Sequence, residues 1–243
     1  MNFNEKKIFK VFVDFDGTIT KTDVGEAVFL NFGDAQKANE IIRLWIDKKI
    51  SSVQTWNMLC DTVKDLDRKK FDDFIDSMEI DETFKNFINF CETNGIEISI
   101  LSDGLDYYIN RILEREKLGH LTAYTNELGF DENNKLIPSF NYTDEECKDC
   151  ANCKRNHIIN NSSDSDYTIY IGDGWSDTCP AQHCDFIFAK NSLLKFCEVN
   201  RISYFPFKNF DEVILRIEEM KNKRKLKKRH QAELKRREVY LQG

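Results

Sequence analysis

From Ile8 the chain runs IFKVFVDF, rich in β-branched and aromatic side chains, and then meets Gly-Thr after Asp16, a turn signal. This pattern predicts a short buried parallel strand that stops at Asp14. Between 21 and about 92 no comparable run occurs. Apolar positions there recur at helical spacing over Ala35–Lys48, Ser52–Val63 and Arg68–Met78, with Ser51 or Ser52 placed as a cap. A helical insert after the first strand is therefore expected. Strand character returns in Ile96–Leu101 (IEISIL), which ends in the polar turn Ser102-Asp103-Gly104 and leads into a helical pattern through Tyr108, Ile109, Ile112 and Leu113. The unit then repeats. Leu121–Asn126, Tyr167–Ile171 (ending in Gly172-Asp173-Gly174) and Phe186–Ala189 read as further strands, and Asp211–Met220 reads as an amphipathic helix on Val213, Ile214 and Ile217. Residues 128–150 break the rhythm with polar turns and cysteines, an irregular excursion. Strands alternating with helices predict an α/β sheet with right-handed crossovers. No internal repeat is visible.

Composition narrows the class. The 243 residues suit one domain with an insert, or two small ones, with a sizeable core. Mean hydropathy is -0.55 and no apolar run approaches the ~18 residues of a spanning helix. Ten Gly and three Pro exclude low-complexity and collagen-like chains. MNFNEKKIFK carries no signal-like apolar stretch ahead of the first strand, so the eight cysteines are expected as thiols or metal ligands in a cytoplasmic protein. The net charge of -7 is uneven. Residues 221–238 hold ten Lys/Arg against two Asp/Glu, a local +8, so the remainder sets 25 against 40 and carries -15. Such a body disfavours nucleic acid as a partner, and the basic tail reads as a solvated helix extension or a frayed end, with anion binding as the alternative.

In an open α/β sheet the functional groups collect beyond the carboxyl ends of the strands. Those positions hold Asp14, Asp16, Ser102, Asp173 and Asp177. Four carboxylates converging in one crevice repel one another unless a cation is present, and an all-oxygen set suits Mg²⁺. Asp14 and Asp16, two residues apart around a glycine-permitted turn, suit a carboxylate nucleophile and a partner that handles a proton.

Asp14-Phe15-Asp16-Gly17-Thr18 resembles the DxDG(T/S) signature of the haloacid-dehalogenase-like phosphohydrolases. Ser102 resembles their second motif, Lys154 their third, and Gly172-Asp173-Gly174-Trp175-Ser176-Asp177 the GDGxxD form of their fourth. All four follow in order over about residues 8–190. The resemblance implies a Rossmann-like parallel core formed by 1–20 and 93–220, a helical C1-type cap at 21–92 that closes over a small substrate, and a basic tail at 221–243. It implies Asp14 as the residue that becomes phosphorylated and Asp16 as acid, then base. Ser102 and Lys154 would hold phosphate oxygens, with Thr18 and the amides around Gly17, Asp103 and Gly104 completing the cradle. Asp14, the backbone carbonyl of Asp16 and Asp173 would bind Mg²⁺, with Asp177 either a further ligand or a group that holds one in place.

Each motif has a plainer reading. Asp and Gly after a strand are ordinary turn chemistry. Lys148 and Arg155 compete with Lys154, and Asp106 reads as a helix cap. Cys147, Cys150 and Cys153 have a spacing able to chelate Zn²⁺, with a fourth ligand from His157, His183, Cys179 or Cys184; the alternative is a packed group of thiols. The Cys-rich approach to Lys154 and the stretch Phe186–Cys197 resemble the methionine-salvage branch, which dephosphorylates 2-hydroxy-3-keto-5-methylthiopentenyl-1-phosphate. Gly174 and Asp177–Pro180 look more like the phosphocholine/phosphoethanolamine phosphatases, and phosphoserine phosphatases share the cap type. Glu26, Phe29, Trp45, Trp56 and Met58 are the cap candidates for contacting substrate, with Trp175 in the fourth motif. The expected activity is Mg²⁺-dependent hydrolysis of a small phosphomonoester through Asp14. A phospho-accepting signalling domain and a non-catalytic binding protein are the alternatives of another class.

Overall fold

The computed structural model describes residues 7–242; the opening six residues, part of the segment inspected for a signal, and Gly243 lie outside it. In chain order the elements are β1 (Phe9–Val13), a tight turn at Phe15–Ile19, α1 (Val24–Phe32), α2 (Ala35–Ile46), α3 (Ser52–Thr62), α4 (Arg68–Asp76) and α5 (Phe84–Asn94). There follow β2 (Glu97–Leu105), α6 (Asp106–Arg115), β3 (Thr122–Phe130), β4 (Leu136–Ser139), α7 (Lys154–Asn160) and β5 (Tyr167–Gly172). The chain continues through α8 (Thr178–Ala181), β6 (Phe186–Ala189), α9 (Asn191–Val199), β7 (Phe205–Pro206), α10 (Phe210–Asn222) and α11 (His230–Gln242). This is an α/β fold. The strand order is β4-β3-β2-β1-β5-β6-β7, with β1–β5, β5–β6 and β6–β7 parallel and β3–β4 antiparallel. No helix among the described residues is long and apolar enough to cross a membrane.

The chain forms two compact units. One comprises the chain through Asp14, Asp81–Ser99 and the chain from Lys154 onward. Its β1, β5 and β6 are short and almost wholly apolar because both faces are covered, as parallel strands require. Val11, Val13, Ile169, Ile171 and Ile187 are all buried. Phe210 of α10 meets Phe84 and Phe87 of α5 at ring distances of 4.8 and 5.2 Å, fixing those helices together.

The other unit comprises Phe15–Ile80 and Ile100–Cys153. Asp23, Asp34, Ser51 and Asp67 accept backbone amides at the starts of α1 to α4, and Ser51 with Gln54 forms a reciprocal capping pair. The buried face includes Val28, Phe29, Phe71, Ile75, Tyr108 and Ile112.

Several expectations need correction. Ser102, Asp103 and Gly104 continue β2 rather than forming a turn. The segment after residue 128 is not wholly irregular, since β3 extends to Phe130 and pairs with β4, Phe130 opposite Leu136. The helical stretch holds α1 and α5 as well as the three helices its spacing picks out. The tail is neither frayed nor merely solvated: in α11 Ala232 is fully buried and Arg236 is 6% exposed.

Candidate active site

Asp14 follows β1 directly, and its amide donates to the Ile171 carbonyl at 2.9 Å, so the β1–β5 ladder continues through it. The first residue of α7, Lys154, is buried and places Nζ 2.6 Å from Asp14 Oδ1 and 2.8 Å from Asp177 Oδ1. Lys154 is thus the cation at this cluster; Lys148 is exposed and Arg155 donates to Asn156. Asp177 closes the loop after β5, its Oδ2 accepting the amides of Asp173 and Gly174, each at 3.0 Å. Its Oδ1 also accepts the Tyr170 hydroxyl at 2.6 Å. Asn191 donates to Asp173 Oδ2 at 3.1 Å.

The electrostatics follow from burial. Asp14 has its pKa pushed well above the usual carboxylate range, by burial first and by the neighbouring Asp177 and Asp173, with Lys154 pulling the other way. Burial alone would lower the Lys154 pKa, but Asp14 and Asp177 outweigh it and raise it, so the ammonium stays charged. Carboxylate oxygens of Asp14, Asp173 and Asp177 lie within 4.8 Å of one another, and among the described residues this is the one such group of potential metal ligands. Against three carboxylates the cluster holds one lysine. Oxygen ligands in excess of fixed positive charge, two of the three carboxylates buried, fit a hard divalent cation such as Mg²⁺.

A second cluster belongs to the other unit. Gly17, at φ 73°, supplies the left-handed turn that follows Asp16. Asp16 Oδ1 accepts the Val24 and Gly25 amides at 3.0 and 3.4 Å, and Oδ2 accepts the Tyr108 hydroxyl at 2.8 Å and that of Ser102 at 3.3 Å. Thr18 is buried nearby in the same turn. Ser102 Oγ also accepts the Gly104 amide at 2.9 Å. The Asp103 carboxylate accepts the Ser52 hydroxyl and, at 3.0 Å, the Asn152 backbone amide, while its carbonyl accepts the Asn126 side chain at 2.6 Å. Asn152 in turn donates to the Ser102 and Tyr124 carbonyls at 2.8 and 2.9 Å. Asp106, expected as a cap, instead accepts the Leu128 amide of β3 at 2.8 Å, and burial raises its pKa.

Zn²⁺ at Cys147, Cys150 and Cys153 is not supported: among the described residues they make no such ligand group, alone or with His157, His183, Cys179 or Cys184. Cys153 is buried between Asn152 and Lys154, while Cys147 and Cys150 are only partly buried. No disulfide joins the eight cysteines. Among the cap candidates, Phe29 is core and packs its ring 5.8 Å from Trp56, Trp45 is half-buried, and Glu26 and Met58 are exposed. Trp175 is 45% exposed. Tyr108, Tyr170, Ser52, Asn126 and Asn152 are polar partners that motif reading passes over. Both tyrosines fit apolar positions in their elements, so the pattern marks the rings and is silent about the hydroxyls.

Residues 9–201 match the family described as Putative Phosphatase. The 2-hydroxy-3-keto-5-methylthiopentenyl-1-phosphate phosphatase of Bacillus mycoides (strain KBAB4) is 30% identical over 216 residues, which cover 87% of this chain and 96% of that protein. A solved phospho-aspartyl intermediate analogue of phosphoserine phosphatase superposes with a TM-score of 0.69 at 21% identity, covering 87% of this chain and 99% of that one. A substrate-bound phosphoserine phosphatase complex does so with 0.69 at 22%, covering 88% and 99%.

Proposed function

Because the chain belongs to the haloacid-dehalogenase-like phosphatases, we propose that its phosphomonoester hydrolysis runs through Asp14 on a small phosphorylated metabolite. The substrate put forward is the one named in the Bacillus relative, 2-hydroxy-3-keto-5-methylthiopentenyl-1-phosphate. The observation that carries the mechanism is the group of buried Asp14, Lys154 and Asp177 with the partly buried Asp173 beyond the parallel strands.

In this proposal an oxygen of Asp14 attacks phosphorus, the bond to the leaving oxygen breaks, and Asp16 gives that oxygen a proton. Asp16 then takes a proton from the water that attacks the phosphoaspartate, which releases inorganic phosphate and restores Asp14. Lys154 offsets charge on Asp14 and, with Ser102, Thr18 and the amides of Asp103 and Gly104, holds phosphate oxygens. Side-chain oxygens of Asp14 and Asp173, with the Asp16 carbonyl, would hold Mg²⁺. Asp177 already accepts four hydrogen bonds, the full capacity of a carboxylate, which supports a role in holding Lys154 and the 173–174 amides rather than the metal. The bound cation would lessen repulsion between the Asp14 carboxylate and an anionic phosphate. The helices of 21–92 would serve as the C1-type cap and set specificity, in a cytoplasmic enzyme.

Turnover of a panel of phosphate esters, with Mg²⁺ or with EDTA, tests the reading on wild type, Asp14→Asn and Asp16→Asn. The methionine-salvage phosphate should be preferred, and Asp14→Asn should be inactive. Absence of metal-dependent turnover for every ester would refute the phosphatase mechanism, whereas preference for phosphoserine or phosphocholine would redirect the substrate alone.

A further inference from the structure

We propose that Tyr108 is a positioning residue for Asp16: its hydroxyl holds Oδ2, the oxygen through which Asp16 exchanges its proton. The inference rests on the phosphatase reading above, in which Asp16 handles the proton, and adds which atom does so and what holds it.

The two oxygens of Asp16 have different partners. Oδ1 accepts the Val24 and Gly25 amides at the start of α1. Backbone amides only donate, so Oδ1 is an acceptor whichever protonation state the carboxyl adopts. Oδ2 meets two hydroxyls, Tyr108 at 2.8 Å and Ser102 at 3.3 Å. A hydroxyl can donate to a carboxylate or accept from a carboxylic acid, so the hydrogen can reside on Oδ2 without leaving a donor facing a donor. Tyr108 is the closer of the two. A phenol is protonated at neutral pH, so the hydroxyl has a hydrogen to give.

The surroundings are shaped around this pair. Tyr108 is 1% exposed, and its ring packs 6.4 Å from that of Phe15, the residue before Asp16. Gly104 provides the space: a Cβ there would overlap the Tyr108 hydroxyl and come within 2.6 Å of Asp16 Oδ2. The aromatic ring would pack as well in Phe, so the hydroxyl is what distinguishes a positioning role from a core role.

When the bond between phosphorus and the leaving oxygen breaks, the hydrogen on Oδ2 passes to that oxygen and its electron pair stays on Asp16. The Tyr108 O–H donates to the carboxylate that results, as it does to Oδ2 in the structure. An aliphatic alkoxide leaves poorly and needs this proton, whereas p-nitrophenolate leaves readily without it.

The experiment compares wild type with Tyr108→Phe on two esters in Mg²⁺: p-nitrophenyl phosphate and the aliphatic ester wild type turns over fastest. The value of kcat/KM reports steps through departure of the leaving group. The expected result is a loss of about tenfold or more on the aliphatic ester against less than about threefold on the aryl ester. Because both esters meet the same folded molecules, their ratio does not depend on how much of the variant folds. Equal losses, or none, would overturn the proposal by reducing Tyr108 to a core ring. A wild type active on p-nitrophenyl phosphate alone would also overturn it, since no poor leaving group would then be protonated. Inactivity of wild type on both would overturn the phosphatase reading, and this inference with it.

Discussion

Lys154 Nζ donates to Asp14 Oδ1 across 2.6 Å, and the two side chains are only 2% and 6% exposed. Removing one member of a buried ion pair costs about 3–5 kcal/mol because the other charge is left without compensation. Lys154→Met should therefore lose about that much stability, measured by urea unfolding in EDTA. Asp14→Asn removes one of the mutually repelling carboxylates and keeps an oxygen for Lys154, so its stability should stay within about 1 kcal/mol of wild type. Both should be inactive in phosphate release. Unequal stability effects with a shared loss of activity distinguish a catalytic cluster from a stabilising one.

Added Mg²⁺ should stabilise the fold. A ligand held only by the native state contributes RT ln(1 + [L]/Kd), about 2.7 kcal/mol at a hundredfold excess over Kd. For a chain of this size that is a rise in Tm of roughly 5–10 °C. Asp173→Asn should abolish the rise while leaving the EDTA melting curve close to wild type, because Asp173 is only partly buried. A full Mg²⁺ response in this variant would move the metal elsewhere.

The strand ends were legible because polarity changes abruptly there: apolar runs stop at Asp14 and before Asp173, and the carboxylates follow. Lys154 was legible through family resemblance, since nothing in a loop of mixed polarity separates it from Lys148 or Arg155. The length of β2 was not legible. Ser102, Asp103 and Gly104 have turn composition, yet they continue the strand because Ser52, Asn126 and Asn152, all distant in sequence, take up the polar groups of Asp103. The Cys spacing suggested a metal, but spacing does not fix where the sulfurs point. In the tail, ten cations masked the short pattern Arg229, Ala232, Arg236 that marks the face turned to the core.

His157 and His183 make the fold sensitive to acid. Burial lowers the pKa of each from 6.5 to about 4. Between those values the unfolded chain binds protons that the folded chain does not, so stability rises with pH across the window. Their contribution is present above pH 6.5 and is lost progressively as the pH falls toward 4. Each is worth about 1–3 kcal/mol. Urea unfolding at pH 7.5 and 5 should show the loss, and His157→Gln should reduce the difference between the two pH values. An unchanged difference would mean that His157 contributes nothing to the acid limit.

The basic tail should divide sharply by residue. Arg229 donates to the Ala181 carbonyl at 2.6 Å and to that of Cys184 at 2.7 and 3.1 Å. Arg236 donates to the His183 carbonyl at 2.6 Å and pairs with the buried Asp185 at 3.3 Å. These acceptors lie at the end of α8 and in the turn before β6, where the carbonyls of His183 and Cys184 have left the helix and not yet entered the strand ladder. Arg236→Ala would leave Asp185 buried without its cation and should cost about 3–5 kcal/mol. Lys225→Ala and Lys227→Ala remove the same charge from exposed positions and should stay within about 0.5 kcal/mol of wild type. Salt separates the cases as well: screening acts on exposed charges, so 0.5 M NaCl should leave the Arg236 difference largely intact. Equal and small effects at all three positions would mean that charge count, rather than these buried contacts, governs the tail.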